Sequence, residues 1–153
     1  MSDILDNLPT FEMPEIYWNN TELMLNVEKS KIAAAGKGIF TYEDIEKGQF
    51  IGFYNGRLEK SNGKCVGDYS FSLNRVWYLD ARFYPRAYMA MINDSHGSKF
   101  KDNCEFVTLS NDEDGKKLVP KDRKIFLQAL RNIKAGEELY ASYGADYWSS
   151  ERN

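Results

Sequence analysis

The sequence has few of the residues that build metal sites and disulfide frameworks. Its 153 residues include two cysteines, Cys65 and Cys104, and one histidine, His96. A zinc site made from Cys and His needs about four ligands, usually in closely spaced pairs, and the sequence contains no Cys-x-x-Cys pair. We therefore expect no zinc. The low cysteine content also favours an intracellular protein with reduced thiols over a disulfide-bonded secreted one.

A long apolar segment and an excess of positive charge are missing as well. No apolar run approaches the roughly 20 residues that cross a bilayer, and the first residues carry acid where a signal peptide carries base. The 20 basic and 23 acidic side chains give a net charge of −3, which argues against binding nucleic acid through its phosphates. We expect a soluble protein with no membrane or direct nucleic-acid contact, whose acidity suits a basic partner.

The remaining pattern predicts a mainly β protein of one domain, which spans residues 21–148 between an N-terminal arm at 1–20 and a tail at 149–153. Short runs of strand-forming residues alternate with Gly, Asn and Asp. They predict strands near 24–27, 49–54, 69–73, 76–79, 105–109 and 125–130, with hairpin turns at Asn62-Gly63 and Asp114-Gly115. Long helical periodicity is missing, so only short helices are expected, near 42–46, 85–91 and 146–150.

One small internal similarity adds to this pattern. Asp44 and Asn132 each precede an Ile by one residue and a Gly by four. We predict two equivalent one-turn caps, each closing on a glycine with positive φ and leading into a strand.

Four short segments combine glycine, amide and tyrosine residues in a way that suits a ligand site. In chain order they are Gly36-Lys37-Gly38; Tyr54-Asn55-Gly56; Ile92-Asn93-Asp94-Ser95 with Asn103-Cys104; and Glu138-Leu139 to Tyr143-Gly144, followed by Tyr147-Trp148. Glycines allow a backbone to approach a ligand closely, and an amide in a polar loop suits a purine edge. Each segment alone is also typical of an ordinary turn or a buried strand.

Taken together and in this order, the four segments resemble the SET-domain family of lysine methyltransferases. The short chain and its ending near Tyr147 and Trp148 are most similar to the minimal SET proteins of large DNA viruses. The resemblance implies several small β-sheets with short helices and a C-terminal pseudoknot, in which the last strand is threaded past the Asn93 segment. It also implies S-adenosylmethionine as methyl donor and a protein lysine, expected on a basic histone tail, as acceptor.

The resemblance also implies roles for individual residues. Tyr143 and Tyr54 are expected to be catalytic. The cofactor is expected to contact Lys37, Gly38, Asn93, Asp94, Tyr143, Tyr147 and Trp148, and the substrate channel to include Tyr69, Tyr88 and Ala141. Three positions depart from the family pattern: Asp94 stands in place of a histidine, Ala90 where an arginine often lies, and Ala141 where a Phe or Tyr often limits the number of methyl groups.

Other functions fit parts of the sequence. Asp94 and Ala90 would suit a SET-shaped binding module that is weakly active or inactive, and a lysine methyltransferase could instead act on a non-histone protein. A hydrolase built from Cys65 or Cys104 with His96 lacks any recognisable nucleophile motif. A purely structural β domain leaves the four ordered motifs unexplained. The expected location is the nucleus (the host nucleus for a viral protein) or the cytoplasm, and exposed aromatics such as Trp18 make a homodimer possible.

Overall fold

The computed structural model describes residues 15–60, 69–74, 76–81 and 86–142, and this part of the chain is mainly β. Its strands are β1 Tyr17–Trp18, β2 Leu25–Lys29, β3 Lys37–Thr41, β4 Phe50–Phe53, β5 Arg57–Lys60, β6 Ser70–Ser72, β7 Trp77–Asp80, β8 Arg86–Ala87, β9 Cys104–Leu109, β10 Lys124–Ala129 and β11 Ala141–Ser142. Two 3₁₀ helices, Tyr88–Met91 and Pro120–Asp122, complete the elements of these residues.

The strands form small sheets rather than one large one. The largest has the order β11-β9-β10-β4, and a three-stranded sheet has the order β5-β7-β6. β2 pairs with β3 in antiparallel fashion, and β1 pairs with β8 in parallel. This confirms the predicted fold class of several small sheets with short helices. Each of the six predicted strand regions contains a strand, and the Asp114-Gly115 turn is present with Gly115 at φ 80°.

The predicted helix at 42–46 is wrong. The Thr41 hydroxyl accepts the Glu43 N–H and donates to the Glu43 carbonyl, which closes a local turn. Ile45 then pairs with Ile133 in an antiparallel bridge. A side-chain turn followed by a long-range pairing therefore replaces the helix.

The helix predicted at 85–91 is shorter than expected, because β8 pairs with β1 before the 3₁₀ helix begins at Tyr88. The helix predicted at 146–150 and the turn at Asn62-Gly63 lie outside the described residues.

The main core lies where β3, the 3₁₀ helix Tyr88–Met91 and the C-terminal segment meet. Ile39 on β3, Met89 in the 3₁₀ helix, Leu127 on β10 and Leu139 are each fully buried in one cluster. Close packing of this kind fixes the relative positions of the backbones that carry it. The core therefore holds together the three segments that the sequence assigns to the ligand site.

The C-terminal segment runs between the Asn93 segment and β9. On one side Asn93 pairs with Tyr140 in a parallel bridge, and the Ala141 N–H donates to the Asn93 carbonyl at 3.1 Å. On the other side the Tyr140 carbonyl accepts the N–H groups of Asn103 and Cys104. The Asn103 side chain spans the same segment, donating to the Glu138 carbonyl and accepting the Tyr140 N–H, both at 2.8 Å. These contacts are those of the threaded strand that the resemblance implied.

Candidate functional site

A cavity of about 320 Å³ brings several predicted site residues together. Lys37, Tyr69 and Asn93 line it, and Gly36 and Arg86 lie beside them. The three predicted residues come from β3, the start of β6 and the polar loop after the 3₁₀ helix, so they converge only in the fold. Ligand cavities for small molecules begin at about 300 Å³, and this one combines backbone, amide and cationic groups.

The loop before β3 presents its backbone to this cavity in a constrained shape. Gly36 has φ 72° and Ala34 has φ 64°, and for Ala34 this left-handed conformation costs about 1 kcal/mol. The Ser30 N–H donates to the Gly36 carbonyl at 2.8 Å, which closes the loop. The Lys37 ammonium lies 3.4 Å from the Glu15 carboxylate and is half-exposed. Exposed ion pairs contribute little, so a ligand carboxylate can replace Glu15 at little cost.

Gly38 is required for a reason that differs from the one the sequence suggested. We expected its backbone to approach the ligand. In the structure, a Cβ added at Gly38 would overlap Glu138 Oε2 and lie 2.9 Å from Asn93 Nδ2. The space above Gly38 is therefore filled by a side chain of the protein itself.

Glu138 belongs to the fourth motif segment, but sequence reasoning assigned it no role; in the structure it is a buried carboxylate. Its side chain accepts the Ser30 hydroxyl at 2.7 Å, the Lys31 N–H at 2.8 Å and the Tyr140 hydroxyl at 2.8 Å. A longer contact of 3.4 Å joins it to Asn93 Nδ2. Burial, together with the hydrogen bond to Glu138, raises the pKa of Tyr140, so the Tyr140 hydroxyl keeps its proton and donates it.

The Asn93 side chain has a defined orientation because two acceptors face its nitrogen. Nδ2 donates to the Lys37 carbonyl at 3.1 Å and contacts Glu138 Oε2. The amide oxygen is thereby turned the other way, and among the described residues no donor satisfies it. A half-buried amide oxygen at a cavity wall is suited to accept a hydrogen bond from a ligand cation.

Arg86 is a second functional candidate that sequence reasoning missed. It is only 6% exposed, and its guanidinium lies 3.8 Å from the centre of the Tyr69 ring. Its Nε donates to the Ala81 carbonyl at 3.2 Å. Arg86 lines the cavity together with Ala90, the position where an arginine was missing from the expected motif. The structure thus brings a guanidinium to this cavity from four residues earlier in the chain.

Three other predicted site residues, Tyr54, Tyr88 and Ala141, do not line this cavity. The Tyr54 hydroxyl donates to the Tyr69 carbonyl, and its ring packs edge-on against Phe71 and Phe106. Tyr88 begins the 3₁₀ helix and packs half-buried against the main core. Ala141 is fully buried in that core.

Asp94 forms a local turn, since its Oδ1 accepts the His96 N–H at 2.8 Å. Tyr143, Tyr147 and Trp148 lie outside the described residues, and so does Cys65. The other cysteine, Cys104, is 1% exposed, and burial raises the pKa of its thiol. A protonated thiol within a core is a poor nucleophile, which removes Cys104 from the hydrolase reading.

The described residues contain neither a cluster suited to a metal ion nor a helix suited to a membrane. No group of three or more His, Cys, Asp or Glu side chains in this part of the chain is placed to hold a metal ion. No helix in the same residues has the length and apolar character needed to cross a membrane.

Comparison with known proteins decides the family. The model of the SET domain matches residues 36–144, which include all four motif segments up to Gly144. The chain belongs to the SET domain family. A curated relative, the histone-lysine N-methyltransferase EZH2 of Chaetomium thermophilum, is 30% identical over 136 residues, which cover 78% of this chain and 8% of that protein.

Solved structures agree with this SET-domain assignment. The polycomb repressive complex 2 of Chaetomium thermophilum aligns with a TM-score of 0.63 and 27% identity, over 81% of this chain and 16% of that one. KRYPTONITE in complex with mCHG DNA and SAH aligns with a TM-score of 0.63 and 22% identity, over 80% of this chain and 24% of that one. At 22% identity, the likeness to KRYPTONITE shows the fold alone. The SET domain described here thus spans a quarter or less of these larger proteins.

Proposed function

We propose that this SET domain transfers a methyl group from S-adenosylmethionine to the lysine side chain of a protein. One observation carries the proposal: the backbone of Lys37, the amide of Asn93 and the guanidinium of Arg86 meet at one cavity. Family membership supports it, because five of the seven residues that the resemblance assigned to the cofactor fall within the matched segment 36–144: Lys37, Gly38, Asn93, Asp94 and Tyr143.

The groups around the cavity fit the amino-acid end of such a donor. That end carries an ammonium and a carboxylate. The oriented oxygen of Asn93 would accept the ammonium, while Arg86 and Lys37 would bind the carboxylate. Arg86 would thus supply the guanidinium that Ala90 cannot. The peptide groups around Gly36 would add backbone contacts, and we assign the adenine to the main chain at Asp94 and to Tyr147 or Trp148.

The chemistry needs a neutral amine, correct alignment and little else from the protein. When bound, S-adenosylmethionine would supply a methyl group to the neutral lysine amine: the N–C bond forms as the S–C bond breaks, S-adenosylhomocysteine leaves, and the proton of the methylated ammonium passes to solvent. A free lysine has a pKa of about 10.4, so neutralising it at pH 7.4 costs about 4 kcal/mol. A desolvated channel beside positive charge lowers that cost, so no dedicated general base is required. We assign Tyr143 to orienting the amine, since alignment alone contributes several kcal/mol. Tyr54 would support the channel through its hydrogen bond to the Tyr69 carbonyl.

A transfer assay with labelled methyl donor, on histones and on whole lysate, tests the proposal. We expect Tyr143→Phe to lower turnover by about 100-fold, as loss of one positioned hydroxyl does, while the cofactor dissociation constant changes less than about threefold. Calorimetry of donor binding provides the second measurement. Binding without any labelled product by the unmodified protein would show the inactive binding module instead, and equal loss of binding and turnover in the variant would indicate misfolding.

We propose a basic histone tail as the substrate. The net charge of −3 suits a basic peptide, and the curated relative EZH2 is a histone-lysine N-methyltransferase. A KRYPTONITE structure that also aligns contains an H3(1-15) peptide. Mass spectrometry of a histone-peptide array after incubation with enzyme and donor identifies the lysine and counts the methyl groups. Labelling of lysate proteins with no labelled histone peptide would favour a non-histone substrate, and the count tests whether Ala141 permits multiple methylation.

The cellular setting is also proposed. We propose that this SET domain is most similar to those of the minimal SET proteins of large DNA viruses, and that it acts without zinc in the nucleus or the cytoplasm. The aromatic pair Tyr147-Trp148, which follows Tyr143-Gly144 in the sequence, supports this. We assign it no direct contact with nucleic acid, and gel-shift titration with duplex DNA tests that assignment. A homodimer stays a prediction, supported by the 44% exposure of Trp18, and analytical ultracentrifugation tests it.

A further inference from the structure

We propose that Glu138 is a positioning residue, which orients the Asn93 amide toward the cofactor and fixes both ends of the loop from Ser30 to Gly38. The inference rests on the proposed function, because it assigns Asn93 to the ammonium of S-adenosylmethionine. It concerns a carboxylate that lies behind the site rather than in the lining of the cavity. The argument has three steps: the hydrogen bonds to the carboxylate, the loop that they hold and the amide that they orient.

The first step is that donors surround Glu138 on both of its oxygens. Oε2 accepts the Ser30 hydroxyl and contacts Asn93 Nδ2, while Oε1 accepts the Lys31 N–H and the Tyr140 hydroxyl. In the part of the chain that the structure describes, no Lys or Arg side chain forms an ion pair with it. A residue 2% exposed is thus kept in place by neutral groups. Burying a carboxylate in this way costs free energy, so its retention calls for a role.

The second step concerns the loop from Ser30 to Gly38. At its beginning, the Ser30 hydroxyl and the Lys31 N–H bind the Glu138 carboxylate. At its end, the bare Cα of Gly38 packs directly against Oε2. One side chain therefore sets the distance between the two ends of the loop. The Lys37 carbonyl, which lies between them in the chain, is in turn the second acceptor for Asn93.

The third step concerns the amide. An asparagine side chain can rotate by half a turn and exchange its oxygen and nitrogen at little steric cost. Here both neighbours, Glu138 Oε2 and the Lys37 carbonyl, can only accept, so Asn93 must present its nitrogen to them. Its oxygen must then face the other way, at the cavity. A neutral glutamine at 138 could instead present an N–H, which would favour the reversed amide and place a donor where the cofactor ammonium needs an acceptor.

Glu138→Gln tests the inference, because it preserves the volume of the side chain and removes its acceptor-only character. We expect the dissociation constant for S-adenosylmethionine, measured by calorimetry, to rise at least about tenfold, as for loss of one charge-assisted hydrogen bond. S-adenosylhomocysteine shares the same amino-acid end, so its binding should weaken by a similar factor. Glu137→Gln is the matched control, because Glu137 is a partly exposed neighbour that pairs with Arg131. Its cofactor dissociation constant should stay within about twofold of the unmodified protein.

A second variant covers the case in which Glu138→Gln does not fold. Asn93→Asp keeps an acceptor oxygen, and on charge alone it should attract the ammonium. If Glu138 and the Lys37 carbonyl orient this residue, a carboxylate there faces two acceptors, and binding should weaken at least about tenfold. Equal or tighter binding by Asn93→Asp would overturn the inference.

The remaining outcomes separate the inference from the function on which it rests. If the unmodified protein binds neither cofactor form, both are overturned. Should it bind while Glu138→Gln binds equally well, Glu138 has no positioning role and the proposed function is unaffected. In a background of Asn93→Ala only the contacts of Glu138 with the loop remain, so a positioning role predicts that Glu138→Gln weakens binding by less than about threefold further. A further tenfold loss in that background would show that Glu138 acts on the whole fold rather than through Asn93.

Discussion

Asp44 and Asn132 each accept a backbone hydrogen bond from the turn that the other residue begins. Asp44 Oδ1 accepts the Ala135 N–H at 2.9 Å, and Asn132 Oδ1 accepts the Lys47 N–H at 2.8 Å. Between them, Ile45 and Ile133 exchange backbone hydrogen bonds of 2.8 Å in both directions. The two turns that the sequence showed as similar are therefore packed against each other. Both close on glycines with positive φ, as predicted, with φ 84° at Gly48 and 98° at Gly136.

The symmetry of this pair predicts equal effects of two substitutions. Asp44→Ala and Asn132→Ala should each lower the free energy of unfolding by about 1 kcal/mol, since each removes one hydrogen bond to a backbone N–H. Urea unfolding measures both. Lys47→Ala is the control, because the Lys47 backbone, and not its side chain, forms the bond. Unequal losses that differ by more than about 1 kcal/mol would contradict the reciprocal arrangement.

Two glycines on either side of Lys37 should respond differently to alanine. Gly36→Ala meets open space but has φ 72°, so we expect a loss of about 1 kcal/mol with the cavity intact. Gly38→Ala forces Glu138 and Asn93 apart, and it should weaken cofactor binding at least about tenfold as well as lower stability. Thermal unfolding and calorimetry on both variants check this. If the two variants bound the cofactor equally, the close packing above Gly38 would have no functional effect.

Arg86 should be sensitive even to a change that keeps its charge. Arg86→Lys loses the planar group that lies over the Tyr69 ring and can pair with a carboxylate through two hydrogen bonds. We expect the dissociation constant of S-adenosylmethionine to rise about fivefold to tenfold, because the point charge of lysine replaces only part of this. Arg57→Lys, at an exposed position, serves as control. Unchanged binding in Arg86→Lys would remove Arg86 from the carboxylate site.

The thiol of Cys104 should be unreactive in the folded protein. Burial raises the pKa of this thiol, and its side chain is closed off from solvent within the main core. Iodoacetamide at pH 8 should therefore label Cys104 only after denaturation, as peptide mass spectrometry can show. Because Cys104 stays unlabelled, this residue should cause no loss of methyl-transfer activity when the native protein is treated. Rapid labelling of Cys104 in the native state would contradict its burial.

The Arg131–Glu137 pair should give a small dependence of stability on pH. The hydrogen bond from Arg131, at 3.0 Å, holds the pKa of Glu137 below its usual value of 4.5. A lowered carboxylate pKa stabilises the fold above the unfolded value and loses that contribution as the pH falls through the folded value. Because the pair is partly exposed, the effect should be below about 1 kcal/mol. Glu137→Gln should therefore lose stability at pH 7, and its difference from the unmodified protein should shrink as the pH falls through the folded pKa of Glu137.

The strands were predictable because their pattern is local. Alternation of apolar and polar residues located β4, β6, β7, β9 and β10 to within a residue or two at most ends. β3 was missed because Gly36 and Gly38 resemble a turn, although only Gly36 has the turn's positive φ. Two of the four motif segments meet at one cavity, since Lys37 and Asn93 line it. Tyr69, which was predicted for the substrate channel, lines the same cavity.

What escaped prediction depends on contacts between distant parts of the chain. Nothing in the pair Glu137-Glu138 tells which carboxylate is exposed and which is buried, since the answer comes from Ser30 and Asn93. Arg86 reaches the cavity because β8 pairs with β1, and that two-residue pairing leaves no periodic signal. The burial of Ala141 likewise follows from its position in the threaded segment beside Cys104.

The threading of the C-terminal segment also fixes when the site can form. During synthesis, residues 93 and 103–104 leave the ribosome well before Tyr140, which must then enter between them. Contacts across such sequence distances are slow to form because the loop must close first. The catalytic tyrosine we propose follows directly after this segment. A nascent chain can therefore pair β2 with β3 and β5 with β7 early, and still acquire the proposed methyl-transfer centre only after the C-terminal segment is in place.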